Sequence, residues 1–257
     1  MLFICFCAIS GYNLFSNRTV GCHIKDLAEP VVLAEAQPND ITEGMPTEEP
    51  PKMAYLTFDD GPSVVTEQIL DVLKQQDVPA SFFVIAADNN IKYLPTLKRT
   101  VAEGHCIALH SCSHAYNKIY RNTDAFWADL AALNTKLKPY VSEPPMVLRF
   151  PGGSSNTVSH KYGGSNIMKD LKQQAEAKGY IYVDWNVCAR DALGGNPSPD
   201  TIARTVIKEC KEKTKAVILF HDTARNKNTA AALPAIIQWL KDNDFTFDTV
   251  DHLTESF

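Results

Sequence analysis

The sequence predicts an α/β fold in which a parallel β-sheet covered by helices curves into an irregular barrel. From residue 53 onward, short apolar runs alternate with longer amphipathic stretches, a pattern typical of βα units that build a parallel sheet. The polar residues suited to chemistry follow these apolar runs, and functional residues of barrels collect at the carboxyl ends of strands. The first run ends in Asp-Asp-Gly-Pro and lacks the Gly-x-Gly-x-x-Gly of an open dinucleotide-binding sheet. A barrel is therefore favoured over an open doubly wound sheet.

The apolar runs predict seven strands, over residues 54–58, 80–85, 106–109, 146–150, 180–185, 216–220 and 245–250. Six helices fill the gaps between them. The first, residues 64–76, carries apolar residues at 65, 69, 70, 72 and 73, close to a helical period. The second begins with Pro95 in its first turn and ends at residue 103, before Gly104. The other four show similar amphipathic spacing, over residues 124–140, 165–178, 200–213 and 229–242.

The first 52 residues differ in character from the rest of the chain. Residues 1–15 are largely apolar but too short to span a bilayer, and no basic residue precedes them as in an export signal. Residues 28–52 are rich in Pro, Glu, Asp and Thr, which is typical of a solvated linker. We therefore predict an N-terminal leader and linker, residues 1–52, and one α/β domain, residues 53–257. Membrane association through the N-terminus is left open.

Composition is that of an ordinary globular protein. The 257 residues are 45% hydrophobic and 21% charged, with a net charge of −5. No long basic block is present, so no nucleic-acid partner is expected. The seven cysteines include no Cys-x-x-Cys pair, and a domain of this size does not need disulfides to hold its core. Free, mostly buried thiols are expected, with one bridge among residues 106, 112, 188 and 210 left open.

Two adjacent carboxylates, Asp59 and Asp60, follow the first predicted strand and precede Gly61-Pro62. Such a run is by itself most often only a turn. The alternative is that both carboxylates project into one pocket, where one binds a metal ion and the other accepts a proton from water.

Two histidines, His110 and His114, follow the third predicted strand. Their spacing predicts that they share one face of a helical turn, so that both rings reach one ion. Solvated or hydrogen-bonded histidines are at least as common. With a carboxylate from a neighbouring strand, however, they would form a His₂Asp set with an open position for water, the pattern of catalytic zinc sites.

Further polar residues follow later strands. Arg149 could orient a carboxylate, and Gly152 and Gly153 after it let backbone N–H groups approach a substrate oxygen; a surface arginine before a turn is the simpler alternative. His221 is placed for acid catalysis or is a hydrogen-bonded core histidine. Asp184 and Asp191 could complete this set, although an isolated Asp is more commonly a helix cap or a turn residue. The joint occurrence of these residues at successive strand ends favours a functional interpretation.

In this order, the residues resemble the motifs of the polysaccharide deacetylases of carbohydrate esterase family 4, the NodB-homology domain. The resemblance covers residues 53–252 and implies a distorted (β/α)7 barrel. Its first, second, third and fifth motifs match Thr57-Phe58-Asp59-Asp60-Gly61-Pro62, His110-Ser111-x-x-His114, Arg149-x-Pro151-x-Gly153 and Leu219-x-His221.

Carried over position by position, the resemblance implies a metal-dependent hydrolase. Asp60, His110 and His114 would hold Zn²⁺ or another divalent cation such as Co²⁺ or Mn²⁺. Asp59 would be the general base and His221 the general acid.

The resemblance also implies positioning and substrate-binding roles. Arg149 would orient Asp59, the backbone N–H of Gly152 would help to bind the oxyanion, and Leu219 would line the acetyl-methyl pocket.

The fourth motif departs from the family pattern Asp-x-x-Asp-Trp. Aligning Trp185-Asn186-Val187 places Asp191 at the second Asp, as the partner expected to hold Arg149, and Ala192 at the tryptophan. Asp184-Trp185 is the alternative placement, and Trp185 is kept as a candidate substrate-binding residue. A more open pocket than the family's is expected.

Three functions follow from the resemblance. The first is de-N-acetylation of peptidoglycan or chitin-like N-acetylglucosamine. The second is O-acetyl esterase activity on acetylxylan, and the third is carbohydrate binding without catalysis, which the intact motif residues disfavour. A polysaccharide is the expected partner and a monomer the expected state. A cell-wall substrate implies an extracellular or cell-envelope location, although a cytoplasmic role on small acetylated sugars is left open.

Overall fold

The computed structural model describes residues 51–257. The predicted leader and linker lie outside the described residues, except for their last two positions, so the division of the chain after residue 52 stays a prediction. Among the described helices, none combines the length and the apolar character that a membrane crossing requires.

Eight strands and eight α-helices make up the described domain. The strands are β1 (Lys52–Asp59), β2 (Ser81–Ile85), β3 (Cys106–Ser111), β4 (Val147–Leu148), β5 (Ile181–Tyr182), β6 (Val187–Cys188), β7 (Lys215–His221) and β8 (Phe245–Phe247). The α-helices are α1 (Val64–Gln76), α2 (Leu97–Ala102), α3 (Tyr116–Ile119), α4 (Thr123–Leu137), α5 (His160–Gly163), α6 (Ile167–Ala177), α7 (Pro199–Cys210) and α8 (Lys227–Asp242). Two 3₁₀ helices cover Ile91–Thr96 and Val250–His252.

The strands form one parallel sheet in the order β5-β4-β3-β2-β1-β7-β6. The eighth strand, β8, pairs with the first residues of β1, whereas β2 pairs with its last residues. The sheet curls into a half-barrel with helices against it, which confirms the predicted distorted (β/α)7 barrel. Because all strands run in one direction, their carboxyl ends meet at one edge of the sheet.

The predicted strand over residues 180–185 is shortened to β5, and a further strand that was not predicted, β6, follows it outside the predicted range. The chain leaves β5 after Tyr182 and begins β6 only at Val187, which pairs with β7 on the other side of the sheet. Between them, the carbonyls of Val183 and Asp184 accept hydrogen bonds from the side chain of Arg149. These two carbonyls therefore satisfy donors of a buried guanidinium and not those of a neighbouring strand.

Helix α1 has the predicted bounds because its ends carry strong capping signals. Ser63 forms a capping box with Thr66 at its start, and Asp77 adopts a left-handed conformation at its end. The predicted helix over residues 95–103 is instead a 3₁₀ helix that contains Pro95, followed by α2. The short helices α3 and α5 span four residues each, too few for an amphipathic period to predict.

An aromatic stack lies at the centre of the core. The ring of Phe58 on β1 lies 5.1 Å from that of Phe82 on β2 and 5.3 Å from that of Phe220 on β7. All three side chains are almost fully buried, and each contributes about 1.5–3 kcal/mol on burial. The stack fixes β1 between its neighbours just below the strand ends.

The four cysteines in the described part of the chain are unbridged, as the prediction of free thiols expected. The open alternative of one disulfide does not occur among them: Cys106, Cys112, Cys188 and Cys210 are all free.

Candidate metal and catalytic site

Asp60, His110 and His114 converge at the carboxyl ends of β1 and β3. One potential ligand atom from each lies within 4.8 Å of the others. Oδ1 of Asp60 lies 3.6 Å from Nε2 of His110 and 3.2 Å from Nε2 of His114. This oxygen is buried and has no hydrogen-bond partner among the described residues. A buried, unpaired carboxylate oxygen facing two imidazoles fits a divalent cation, because the ion would compensate the lost solvation.

The ring of His110 is held in the form that a metal ligand requires. Its Nδ1 lies 2.7 Å from the carbonyl oxygen of Arg149, and a carbonyl can only accept, so Nδ1 carries the hydrogen. The lone pair of Nε2 is then directed towards Asp60 and His114. Burial lowers the pKa of His110, although the charges of Asp59 and Asp60 oppose this effect.

The predicted helical turn between the two histidines is wrong. His110 belongs to strand β3, and His114 lies in a turn with a positive φ of 52°. Asp129 on helix α4 holds this turn by accepting hydrogen bonds from the hydroxyl of Ser111 and from the backbone N–H groups of residues 112 and 113. The rings meet because an anchored turn directs His114 back over the strand end.

Asp59 pairs with Arg149, as expected. Nη1 of Arg149 lies 2.7 Å from Oδ1 of Asp59 and 2.9 Å from the hydroxyl of Thr57. The guanidinium is completely buried and lies 4.1 Å from the centre of the Phe83 ring. The second carboxylate oxygen of Asp59 lies 3.8 Å from Nε2 of His110. One oxygen of Asp59 is thus fixed by Arg149, and the other faces the metal-ligand set.

Asp191 contacts His221, which corrects the expectation that it holds Arg149. Its carboxylate lies 2.9 Å from Nδ1 of His221 and accepts hydrogen bonds from the backbone N–H of His221 and the hydroxyl of Thr229. Strand β6 pairs with β7, so a residue that follows β6 reaches the end of β7. The acceptors of Arg149 are instead provided by Asp59, by the hydroxyl of Thr57 and by backbone carbonyls.

The pKa of His221 reflects this pair. Burial alone would lower the pKa, but the hydrogen bond and charge of Asp191, together with the charges of Asp59 and Asp60, raise it to about 9. His221 is therefore protonated at neutral pH in the metal-free protein, and its Nε2 carries a hydrogen that Asp191 does not use.

The three predicted substrate-binding residues lie around Arg149 and β7. Gly152 has a positive φ of 83°, and a Cβ added to it would lie 2.6 Å from the hydroxyl of Tyr116. The centre of the Trp185 ring lies 5.5 Å from Cζ of Arg149. Leu219 is buried within β7. Their contact with substrate stays a prediction.

A cleft of about 890 Å³ opens above the site. Asp60, His114 and His221 line one side of it, and the loop that begins at Ala192 lines another. The exposed Leu193 next to Ala192 is 62% accessible. As expected from the departure in the fourth motif, no tryptophan is among the residues that line this cleft in the described part of the chain.

Sequence reasoning missed two residues that shape the site. Asp129 lies within an amphipathic helix, and Tyr116 packs edge-on against the ring of His114 at 5.6 Å. Neither belongs to a strand end. The spacing of one acidic residue in a helix carries no signal that it reaches a turn 16–18 residues away.

A His₂Asp set open to a cleft, with a tethered carboxylate and a protonated histidine beside it, defines a metal-dependent hydrolase on a distorted α/β barrel. Residues 47–171 match the model of the polysaccharide deacetylase family. The chain is 30% identical over 247 residues to a peptidoglycan-N-acetylglucosamine deacetylase of Bacillus cereus, covering 93% of this chain and 85% of the relative. The chain belongs to the polysaccharide deacetylase family.

Solved structures agree with this assignment. The catalytic domain of a peptidoglycan N-acetylglucosamine deacetylase from Eubacterium rectale is 37% identical, with a TM-score of 0.75, over 81% of this chain and 93% of that one. A family 4 acetyl xylan esterase from Clostridium thermocellum, in complex with a cobalt ion, is 25% identical, with a TM-score of 0.60, over 78% of this chain and 89% of that one.

Proposed function

We propose that this deacetylase hydrolyses the N-acetyl groups of N-acetylglucosamine in peptidoglycan or a chitin-like polymer. The convergence of Asp60, His110 and His114 beside a base candidate, Asp59, and in one cleft with an acid candidate, His221, carries the proposal. The similarity to peptidoglycan deacetylases supports the choice of polymer.

Asp60, His110 and His114 are proposed to hold Zn²⁺, with Co²⁺ or Mn²⁺ as alternatives. When bound, such an ion supplies Lewis acidity that polarises the acetyl carbonyl and makes water more acidic. Two imidazoles and one carboxylate leave a coordination position open, as catalytic sites of this kind require.

Asp59 is proposed to remove the proton of the attacking water through Oδ2, because Arg149 occupies Oδ1. His221 donates a proton from Nε2 to the departing amine, because Asp191 engages Nδ1. An amine leaves poorly without that proton, and general acids and bases typically contribute about 10²–10⁴-fold each.

The substrate is proposed to contact three further residues. The N–H of Gly152 donates to the oxyanion, an interaction typically worth roughly 3–4 kcal/mol. Leu219 and Trp185 provide apolar surface for the acetyl methyl group. The open wall at Ala192 leaves room for the rest of a polymer chain.

Acetate release from peptidoglycan, chitooligosaccharides and acetylxylan, measured side by side, tests the proposal. We expect the highest kcat/KM on a polymer that contains N-acetylglucosamine, and at least roughly 10²-fold less with the His110→Ala variant, which lacks a metal ligand. Equal acetate release by the variant would contradict the role of the site.

O-acetyl esterase activity on acetylxylan is the second candidate. The similarity to the acetyl xylan esterase supports it, and an alkoxide leaves more readily than an amine. A clear preference for acetylxylan in the same assay would replace the first candidate with this one.

Location and assembly belong to the same proposal. A cell-wall polymer requires an extracellular or cell-envelope enzyme, and the apolar residues 1–15 are proposed to serve export or membrane association. A monomer is proposed because one chain supplies all of the ligand and acid–base candidates. Fractionation of tagged protein and light scattering test these two points.

A further inference from the structure

Asp222 follows the proposed acid and is only 1% exposed, yet the proposed reaction gives it no role. We propose that Asp222 is a positioning residue that fixes residues 59–63, here called the metal loop, against the strand end that carries His221. This inference rests on the proposed function, because its consequence is the alignment of Asp59 and Asp60 with His221.

The backbone of Asp222 extends the pairing of β1 with β7 beyond the strands. Asp59 and His221 are directly opposite each other in this ladder. The N–H of Asp222 donates to the carbonyl of Asp59 at 3.1 Å. The last strand pair therefore continues into the metal loop and places the base and acid candidates on adjacent strands.

The polar groups of Asp222 also orient the start of helix α1. Its carboxylate accepts a 2.6 Å hydrogen bond from the hydroxyl of Thr66, and its carbonyl accepts one from the hydroxyl of Ser63. These hydroxyl oxygens in turn accept from the N–H groups of Ser63 and Val65. Asp222 thus accepts both hydroxyl hydrogens of the capping box. The lone pairs of the two hydroxyl oxygens therefore remain available to the N–H groups of Ser63 and Val65 at the start of the helix.

The carboxyl group of Asp222 packs directly against the metal loop. A Cβ added to Gly61 would lie 2.0 Å from Oδ2 of Asp222, so only glycine permits this contact. Gly61 follows Asp60, whose Oδ1 faces His110 and His114. Asp222 therefore packs against the metal loop, and without this contact the carboxylate of Asp60 would be held less precisely towards the two histidines.

Metal affinity provides a readout separate from turnover. We expect Asp222→Asn and Thr66→Val to raise the dissociation constant for Zn²⁺, measured by chelator competition, roughly 10–100-fold, as losses of groups that support metal ligands usually do. We expect kcat to fall by a similar factor and KM to change little. Ser198→Ala, which removes the cap of α7 and whose hydroxyl hydrogen-bonds to Thr201 of the same helix, is the matched control and should lower only Tm.

The outcomes separate the two proposals. Wild-type metal affinity and kcat in both variants, with a loss of Tm alone, would show that Asp222 is merely structural. If Asp222→Asn does not fold, the metal affinity and kcat of Thr66→Val test the proposal instead, because this variant retains the carboxylate of Asp222. A wild-type enzyme that binds Zn²⁺ but releases no acetate would contradict the proposed function, and the metal affinities would still test Asp222.

A double-mutant cycle tests the packing contact itself. We expect Gly61→Ala to raise the dissociation constant for Zn²⁺ in the wild-type background. In an Asp222→Ala background, the factor by which it raises this constant should be at least roughly fivefold smaller, because the added methyl group no longer meets the carboxyl group of Asp222. An equal loss of affinity in both backgrounds would overturn the contact as the reason for glycine at this position.

Discussion

Asp191 holds His221 at two points, through the backbone N–H at 2.8 Å and through Nδ1 at 2.9 Å. The carboxylate is almost fully buried and also accepts from Thr229. This arrangement fixes the ring of His221 and favours its protonated form. Asp191 therefore acts on the proposed acid, and its substitution should change a pH profile more than a binding constant.

Asp191→Asn should lower the pKa of His221, because the variant keeps the shape of the side chain but removes its charge. The wild-type pKa is raised to about 9 in the metal-free protein. Loss of a close charge partner typically shifts a pKa by about 1–3 units. We expect the alkaline limb of kcat, which should lie no higher than about pH 9 in the wild type, to move down by at least about one unit. An unchanged limb would contradict the pairing.

The same pair predicts a pH dependence of stability. The pKa of His221 is raised on folding, so its contribution to stability is fully present below an unfolded pKa of about 6.5 and is lost as the pH rises through about 9. In metal-free protein, the stability difference between wild type and Asp191→Asn should therefore shrink between pH 6 and pH 10. Urea denaturation across this range, with Ser198→Ala as the control, measures the difference.

Asp59→Asn should remove most turnover while the protein still folds with its metal-ligand set, because the amide oxygen can still accept the hydrogen bond from Arg149. An amide cannot accept the proton of the attacking water, and loss of a general base typically costs about 10²–10⁴-fold in kcat. Acetate release, circular dichroism and Zn²⁺ affinity measure the three properties. Wild-type turnover in this variant would refute the assignment of the base.

Metal removal should abolish activity and lower thermal stability. Binding to the native state at about 100 times Kd contributes about 2.7 kcal/mol, which corresponds to roughly 5–10 °C in Tm for a domain of this size. EDTA-treated protein should recover both properties with Zn²⁺ or Co²⁺. In the His110→Ala variant, the added ion should leave Tm almost unchanged. An increase in Tm as large as that of the wild type would place the binding site elsewhere.

Arg149→Met should destabilise the protein strongly. Removing one partner of a buried ion pair typically costs about 3–5 kcal/mol, because the carboxylate of Asp59 is left buried without its cation. Tm should fall by roughly 6–20 °C. Arg99→Gln is the matched control, since Arg99 makes more accessible ion pairs with Glu67 and Asp71 and should cost no more than about 1–2 kcal/mol. Similar losses in both variants would contradict the special role of the buried pair.

The sequence by itself determined the alternation of strands and helices, the parallel barrel and the identity of the candidate residues. Apolar runs and amphipathic spacing are local properties, so helix α1 and strands β1, β2 and β7 were predictable within a few residues. The capping residues of α1 and the Asp-Asp-Gly-Pro run after β1 likewise influence only the backbone within a few positions, so their effects can be predicted locally. The family resemblance added roles to residues that already stood at strand ends.

Only the tertiary structure decided which side chains meet. Asp191 reaches His221 across 30 residues, and Arg149 reaches Asp59 across 90. The first contact follows from the strand order, which places β6 beside β7. In the second, the side chain of Arg149 extends from the end of β4 to the end of β1, although β3 and β2 lie between these strands in the sheet. The turn that brings His114 over His110 likewise depends on Asp129 from a different element. Spacing along the chain encodes local geometry, whereas contacts between strand ends depend on the packing of the whole sheet.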